Sequence, residues 1–266
     1  QKLEGDDPAS LAVAEPTKLT NQTQISEKAV QTSGTAEAVD WAGRKSSQAY
    51  QLAKRAKEIK RDMELMLLGE DVKAAGAAGV ARKTAALNSW LGDAVAGDSN
   101  IIDGPTVAAV ANAGDGTAVK APSGADAVLT MAMLNECVEQ IWKAGGSPDV
   151  IMCDASLKVK MSALAGSVVA DIVSNHDKAS PASAINSVDV IVTDFGTFKI
   201  VPSRLCLPNQ LYVLDYDFWS VDYLRPFQTE TLAKTGDSIK QMMIAEYGLR
   251  GKNGQASGSV IGIKAA

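Results

Sequence analysis

The chain is poor in the residues most used for chemistry. One histidine and three cysteines among 266 residues leave few ways to build a metal centre or an activated nucleophile. Aromatics are scarce, with four Trp, five Tyr and four Phe. No apolar run approaches the roughly 18 residues of a membrane-spanning helix, and no signal-peptide pattern is read at the start. Positive charge is not in excess either. Lys and Arg number 26 against 31 Asp and Glu, for a net charge of −5, which excludes a protein whose main task is gripping nucleic acid by charge. Cys137, Cys153 and Cys206 are odd in number and widely spaced, and read as small buried hydrophobes in a reducing compartment.

What is abundant is alanine, at 41 residues. The hydrophobic fraction of 46% and mean hydropathy of −0.01 are those of a globular chain, and the length suits one or two domains. Alanine brings backbones close but buries little area, so the expected core is thin for its length.

Residues 1–40 show no sustained period before a loosely alternating stretch over 23–32, read as a solvated strand. They carry seven acids and three bases, a net −4. An extended arm of this kind has no core of its own and must lie on something else. Residues 44–68 follow with apolar side chains at helical steps, Ala49, Leu52, Ala53, Ala56, Ile59, Met63 and Met66. With Gly69 as the stop, they predict a helix of about 37 Å. Its seven bases and three acids give +4. Beyond a Gly/Ala-rich stretch, the pattern predicts helices at 81–90, 126–144 and 156–165. The second of these is capped by Ser123 or Asp126 and stopped by Gly145-Gly146. Strands are predicted at 148–153, 188–193, 197–201, 211–214, 240–250 and 259–264, with Asp194-Phe195-Gly196 turning one hairpin. The total is an α+β chain.

No constellation of catalytic residues completes itself. Gly76-Ala77-Ala78-Gly79 and Gly114-Asp115-Gly116 lack the rest of a phosphate-loop pattern. Gly254 to Gly258 sets its Ser one place too late for a nucleophile elbow. His176 stands alone in a polar loop. Asp215, Asp217 and Asp222 beside Tyr216, Trp219 and Tyr223 match no calcium-ligand spacing and read as a strand edge with its acids in solvent. Catalytic, cofactor-binding and metal sites are therefore not expected, and the chain is read as a non-enzyme.

Several segments carry a resemblance: Asn21-Gln22-Thr23-Gln24-Ile25, Val30 to Val39, Ala42-Gly43-Arg44, Tyr50-Gln51, Lys57 to Glu64, Ala81-Arg82-Lys83 and Ala245-Glu246-Tyr247-Gly248-Leu249. With the order of elements, they resemble the major capsid proteins of tailed bacteriophages with the Hong Kong 97-type fold. The resemblance implies an extended arm and E-loop over residues 1–42, with more chain expected before Glu4-Gly5. It implies a first part of a peripheral domain over 43–121, with its spine helix at 44–68. An α/β axial domain would occupy 122–226, and returning peripheral strands 227–266. It implies self-assembly as pentamers and hexamers into a shell around double-stranded DNA. Scaffolding, portal and decoration proteins would be partners, no membrane would be involved, and the chain would reside in the virion after assembly in the host bacterial cytoplasm. An encapsulin-type compartment, a small cytosolic α+β enzyme and a tail or head-completion protein are the alternatives. No lysine–asparagine cross-link is expected.

The charges suggest a contact. The acids of the arm (Glu4, Asp6, Asp7, Glu15, Glu27) are expected to lie across the basic spine helix of a neighbour (Lys54, Arg55, Lys57, Arg61), aiding register and assembly rate. The opposite reading turns that basic face toward packaged DNA.

Overall fold

The computed structural model describes residues 13, 18–43, 45–93, 99–173 (backbone alone over 165–173) and 189–265. In chain order the elements begin with β1 (Gln24–Ser33), α1 (Gly34–Ala38), α2 (Ser47–Leu68), β2 (Ile101–Asp103), β3 (Ala108–Ala109) and β4 (Ala127–Val128). Then come α3 (Met131–Lys143), β5 (Val150–Cys153), α4 (Ala155–Val173), β6 (Val190–Thr193), β7 (Gly196–Pro202) and β8 (Gln210–Leu214). The chain closes with β9 (Trp219–Thr231), β10 (Ser238–Gly251), β11 (Gly258–Ile261) and β12 (Ile263–Lys264).

β1, β10 and β9 form an antiparallel sheet in that order. The strand predicted as solvated is therefore one edge of a sheet, in unbroken register with β10 from Gln24↔Tyr247 to Ser33↔Ser238. Its faces are largely inverted for a strand that packs on a helix, Val30 being the buried apolar exception on the α2 side. Lys28 and Thr32 turn to α2, where Lys28 meets Asp62 at 2.6 Å and the Thr32 hydroxyl donates to Gln48. Ile25 and Ala29 stand exposed on the other face.

That inversion explains α2. Its buried line is Ser47, Gln48, Ile59, Met63 and Leu68, whereas Ala49 and Ala53 of the predicted stripe lie in solvent. The first half of the helix meets a polar strand, so polar side chains do the packing there. The helix starts at 47 rather than 44 because Ser46 caps it, accepting from the Ala49 amide at 3.2 Å. Glu37 of α1 adds a carboxylate at the same terminus. It accepts from the Ser46 hydroxyl at 2.5 Å and the Gln48 amide at 3.1 Å, where the helix dipole favours negative charge.

The second sheet has seven strands in the order β3-β2-β11-β8-β5-β7-β6. It draws β2, β3 and β11 from outside residues 122–226, while β9, which begins at Trp219, belongs to the first sheet. One face carries Ile151, Phe198, Ile200, Leu211, Val213 and Val260, packed against Leu134, Cys137 and Ile141 of α3 and Leu157 and Met161 of α4. The other face presents Ile101, Tyr212, Leu214 and Ile261 to Leu68, Ala85, Leu87, Trp90, Leu91 and Leu249. This second core cements the two sheets together.

α3 starts at Met131 behind Thr130, not behind Ser123 or Asp126, since Ala127 and Val128 pair with β12 instead. Its predicted stop is observed: Gly145, at φ +85°, donates to the Trp142 carbonyl, and Gly146 donates to Ile141. A Cβ at Gly145 would meet nothing within 4 Å, so Gly145→Ala isolates the conformational cost. It is expected to lose about 1 kcal/mol, measurable by chemical denaturation.

The helix predicted at 81–90 is absent apart from a single 3-10 turn at Leu87–Ser89. The amides of Thr84, Ala85 and Ala86 are taken by Gln24 Oε1, Asn21 Oδ1 and the Asp71 carbonyl, so distant partners outbid the helical ones. β2, in a stretch for which no strand is predicted, is three residues long and fully buried.

Candidate functional site

The densest predicted cluster disperses into structural duties. Asp215 accepts from the Asp217 amide and caps a 3-10 turn. Asp222 accepts from the Ser220 hydroxyl and pairs with Arg250 at 3.3 Å. The Trp219 indole donates to Ser257, and Tyr223 packs between Phe227 and Tyr247 with its ring tilted to both. Gly76 and Gly79 turn a small hairpin closed by Ala77 and Val80. Burial raises all three thiols, Cys153 to about 11, Cys206 to about 12 and Cys137 further still, the reverse of what a nucleophile needs. His176 lies outside the described residues. Among the described residues no three His, Cys, Asp or Glu side chains gather to hold a metal ion, and no helix is long and apolar enough to cross a membrane.

The structure instead brings together three of the segments that carry the resemblance. Asn21 Nδ2 donates to Thr84 Oγ1 at 3.0 Å and to the Leu249 carbonyl at 2.7 Å, while its Oδ1 accepts from the Ala85 and Gln22 amides. Two residues on, the Thr23 hydroxyl donates to Glu246 Oε1 at 2.7 Å. Arg82 reaches the same oxygen at 2.7 Å and Arg225 takes the other at 2.9 Å. Thr23, then Arg225 and Arg82, hold the Glu246 carboxyl below the usual carboxylate range against the effect of its burial. The arm is thus stapled to the body at residues 21–24 by groups separated by up to 228 positions. Sequence reasoning missed this staple. Its only signal was that the same short polar segments resembled the family.

A second carboxylate pins the loop before β4. Asp103, 1% exposed, accepts from the Ser123 amide at 3.1 Å, the Ser123 hydroxyl, and Thr106 Oγ1 at 2.8 Å. Burial raises its pKa, but these donors outweigh it and hold the group below the carboxylate range. A depressed carboxylate contributes stability above its unfolded value, about 3.9, and loses it as pH falls through the lower folded value. The melting-temperature gap between wild type and Asp103→Asn should therefore be full at pH 6 and close below pH ~4. A gap independent of pH would contradict this role.

Of the residues expected in the inter-subunit contact, Glu4, Asp6, Asp7 and Glu15 lie outside the described residues. Glu27 is held in β1 on the face away from α2, opposite Ile244. Arg55 is half-buried and paired with Glu58 of its own helix. Lys54, Lys57 and Arg61 are exposed. Elsewhere, Trp142, 61% exposed, leans on Phe195 with ring centroids 6.0 Å apart. Leu224 is 65% exposed on the outer face of the three-stranded sheet. Exposed apolar patches mark surfaces where partners can dock.

Comparison with known proteins bears on what those partners are. The family model described as SU10 major capsid protein matches residues 1–264. The major capsid protein of Escherichia phage Phieco32 is 27% identical over 269 residues, covering 90% of this chain and 74% of that one. The capsid subunit of cyanophage A-1(L) superposes with a TM-score of 0.63 at 10% identity, over 90% of this chain and 77% of that chain. That of cyanophage Pam1 gives 0.57 at 13% identity, over 98% and 81%. An encapsulin of Synechococcus elongatus gives 0.54 at 8% identity, over 92% and 75%, which is likeness of fold alone. The fold is thus the Hong Kong 97 type, with α2 along the three-stranded sheet and the seven-stranded α/β layer beside it. The chain belongs to the SU10 major capsid protein family: it is a phage major capsid protein, a subunit of the virion's shell.

Proposed function

We propose that copies of this chain close as pentamers and hexamers into the icosahedral head of a tailed bacteriophage and enclose its double-stranded DNA. Assembly takes place in the host bacterial cytoplasm with the scaffolding, portal and decoration proteins of the same virus. The family match over residues 1–264 carries this reading. In it α2 is the spine of the peripheral domain, β1, β9 and β10 are its sheet, and the seven-stranded layer is the axial domain that meets its copies around the capsomer axis. The chain's work is mechanical rather than catalytic, and a core shared between subunits suits its small side chains, since binding to copies adds to stability by mass action.

Fractionation of purified virions tests the proposal. This chain should be the most abundant head protein and remain with nuclease-resistant DNA through gradient sedimentation. Recovery only from the soluble fraction of the lysate would refute it.

A further inference from the structure

The strand directions of the seven-stranded layer give it two ends, and the ends differ in chemistry. β7 runs parallel to β5, while β6 and β8 run against them. Where β5 starts, β8 therefore finishes and the β6–β7 hairpin turns, and α3 arrives there through a short connection. This end carries Trp142 (61% exposed) in the last turn of α3, Phe195 (39%) in the hairpin turn and Tyr216 (44%) just past β8. The Trp142 and Phe195 ring centroids are 6.0 Å apart. Asp149, before β5, and Asp194, in the turn, are exposed at the same end.

At the opposite end β5 finishes and α4 begins. The Ser203 amide donates to the Cys153 carbonyl at 2.9 Å, which brings the β7–β8 loop to the same place. Val159, early in α4, is 71% exposed, and Arg204 and Pro208 of the loop are exposed. The described acids here are engaged within their own chain. Asp154 accepts from the Ser156 amide and hydroxyl, and Asp189 pairs with Lys158 at 3.0 Å. One end is thus aromatic and acidic, the other aliphatic and basic.

A closed ring needs two such unlike surfaces, because a cyclic contact is head-to-tail and each subunit offers different faces to its two neighbours. Trp, Tyr and Arg are also the side chains that most often anchor an interface. An Arg guanidinium can stack on an aromatic face and pair with carboxylates at once.

We propose that the Trp142–Phe195 end of the layer seats the Arg204 end of a second copy of this chain. Arg204 lies against Trp142, Asp149 and Asp194, and Val159 and Pro208 lie against Phe195 and Tyr216. This rests on the shell reading above, which says that copies touch but not which side chains do it.

Trp142 and Arg204 are exposed, so truncating either should leave the fold intact. Trp142→Ala and Arg204→Ala in the full chain should each raise the protein concentration at which shells appear about tenfold, with unchanged circular dichroism and Tm. Asp194→Arg should do the same, and adding Arg204→Asp to that chain should recover most of the loss. If Trp142→Ala lowers Tm, Arg204→Ala, on a loop at the other end, carries the test. To identify the occupant, Phe195 is replaced by p-benzoylphenylalanine, and isotope-labelled and unlabelled chains are mixed before assembly. Irradiation should link residue 195 of one copy to residues 155–160 or 203–209 of another. A link to a different surface of the copy, a link to another protein of the virus, or no link would overturn the pairing. So would variants that assemble at the wild-type concentration. The wild-type chain in the same preparation keeps the two readings apart: if it forms no shells, the shell reading fails, and if it forms them, only this pairing fails.

Discussion

Replacing Tyr212 with alanine is expected to cost about 4 kcal/mol, the range for emptying a buried aromatic site, and to lower Tm of the unassembled subunit by about 10 °C. Tyr212 is fully buried in the core between the two sheets. Its hydroxyl donates to the Leu68 carbonyl at 2.9 Å, one of the last carbonyls of α2, which has no partner within the helix. Tyr212→Phe keeps the ring and loses that bond, leaving a buried carbonyl unpaired at a cost of about 1.5 kcal/mol. The ring thus joins α2 to the seven-stranded sheet, and the hydroxyl sets the helix end. If the phenylalanine variant were as unstable as the alanine one, the polar tie would outweigh the packing, contrary to this account. If both matched wild type, Tyr212 would not couple the sheets at all.

Asn21→Ala should produce the second large effect, confined to the start of β1. The side chain serves two amides and donates to Thr84 and Leu249. Its loss strands the amide of Ala85, a residue with no exposed surface. An unpaired buried donor costs about 2 kcal/mol, or roughly thirtyfold in the local opening equilibrium. Hydrogen exchange at Ala85 and along residues 22–26 should quicken by that factor, while amides of β5 and β8 keep their wild-type rates. Uniform acceleration across both sheets would show that residues 21–24 hold the whole fold and not the arm alone.

The parts of this molecule that were legible in its sequence were those governed by local period. α2 followed from apolar spacing, the end of α3 from Gly145-Gly146, and the β6–β7 hairpin from Asp194-Phe195-Gly196. The parts that were not legible depend on partners far away along the chain. Only the N-terminal part of the stripe on α2 was misplaced, because polar Lys28 and Thr32 of β1 face the helix: Gln48 is buried while Ala49 and Ala53 are exposed, and Ile59 and Met63 are buried as expected. Residues 81–90 carry helix-forming side chains, yet the amides of Thr84 and Ala85 are claimed by Gln24 and Asn21, sixty or more positions earlier. β9 was legible only as a strand edge around Trp219, Asp222 and Tyr223; its full length was not, because both its faces are largely exposed and Pro226 interrupts it, an edge position where a missing donor is tolerated.

Charge showed the same division. The −4 arm and the +4 helix could be counted, but which bases lack an ion pair among the described residues could not. That depended on Asp62 turning to Lys28 and Glu58 to Arg55, which leaves Lys54, Lys57 and Arg61 on the outside. The exposed Trp142–Phe195 pair passed without notice because Phe195 was read only as part of the Asp194-Phe195-Gly196 turn. The α3 terminus and the β6–β7 turn place them side by side.

The most direct measurement is sedimentation velocity with negative-stain microscopy on the full-length protein purified from an expressing lysate. Closed particles tens of nanometres across, built of this chain, are the predicted result. A protein that stays monomeric or dimeric across concentration and salt, with no particles in the grids, would contradict the assignment of this fold to a self-assembling wall.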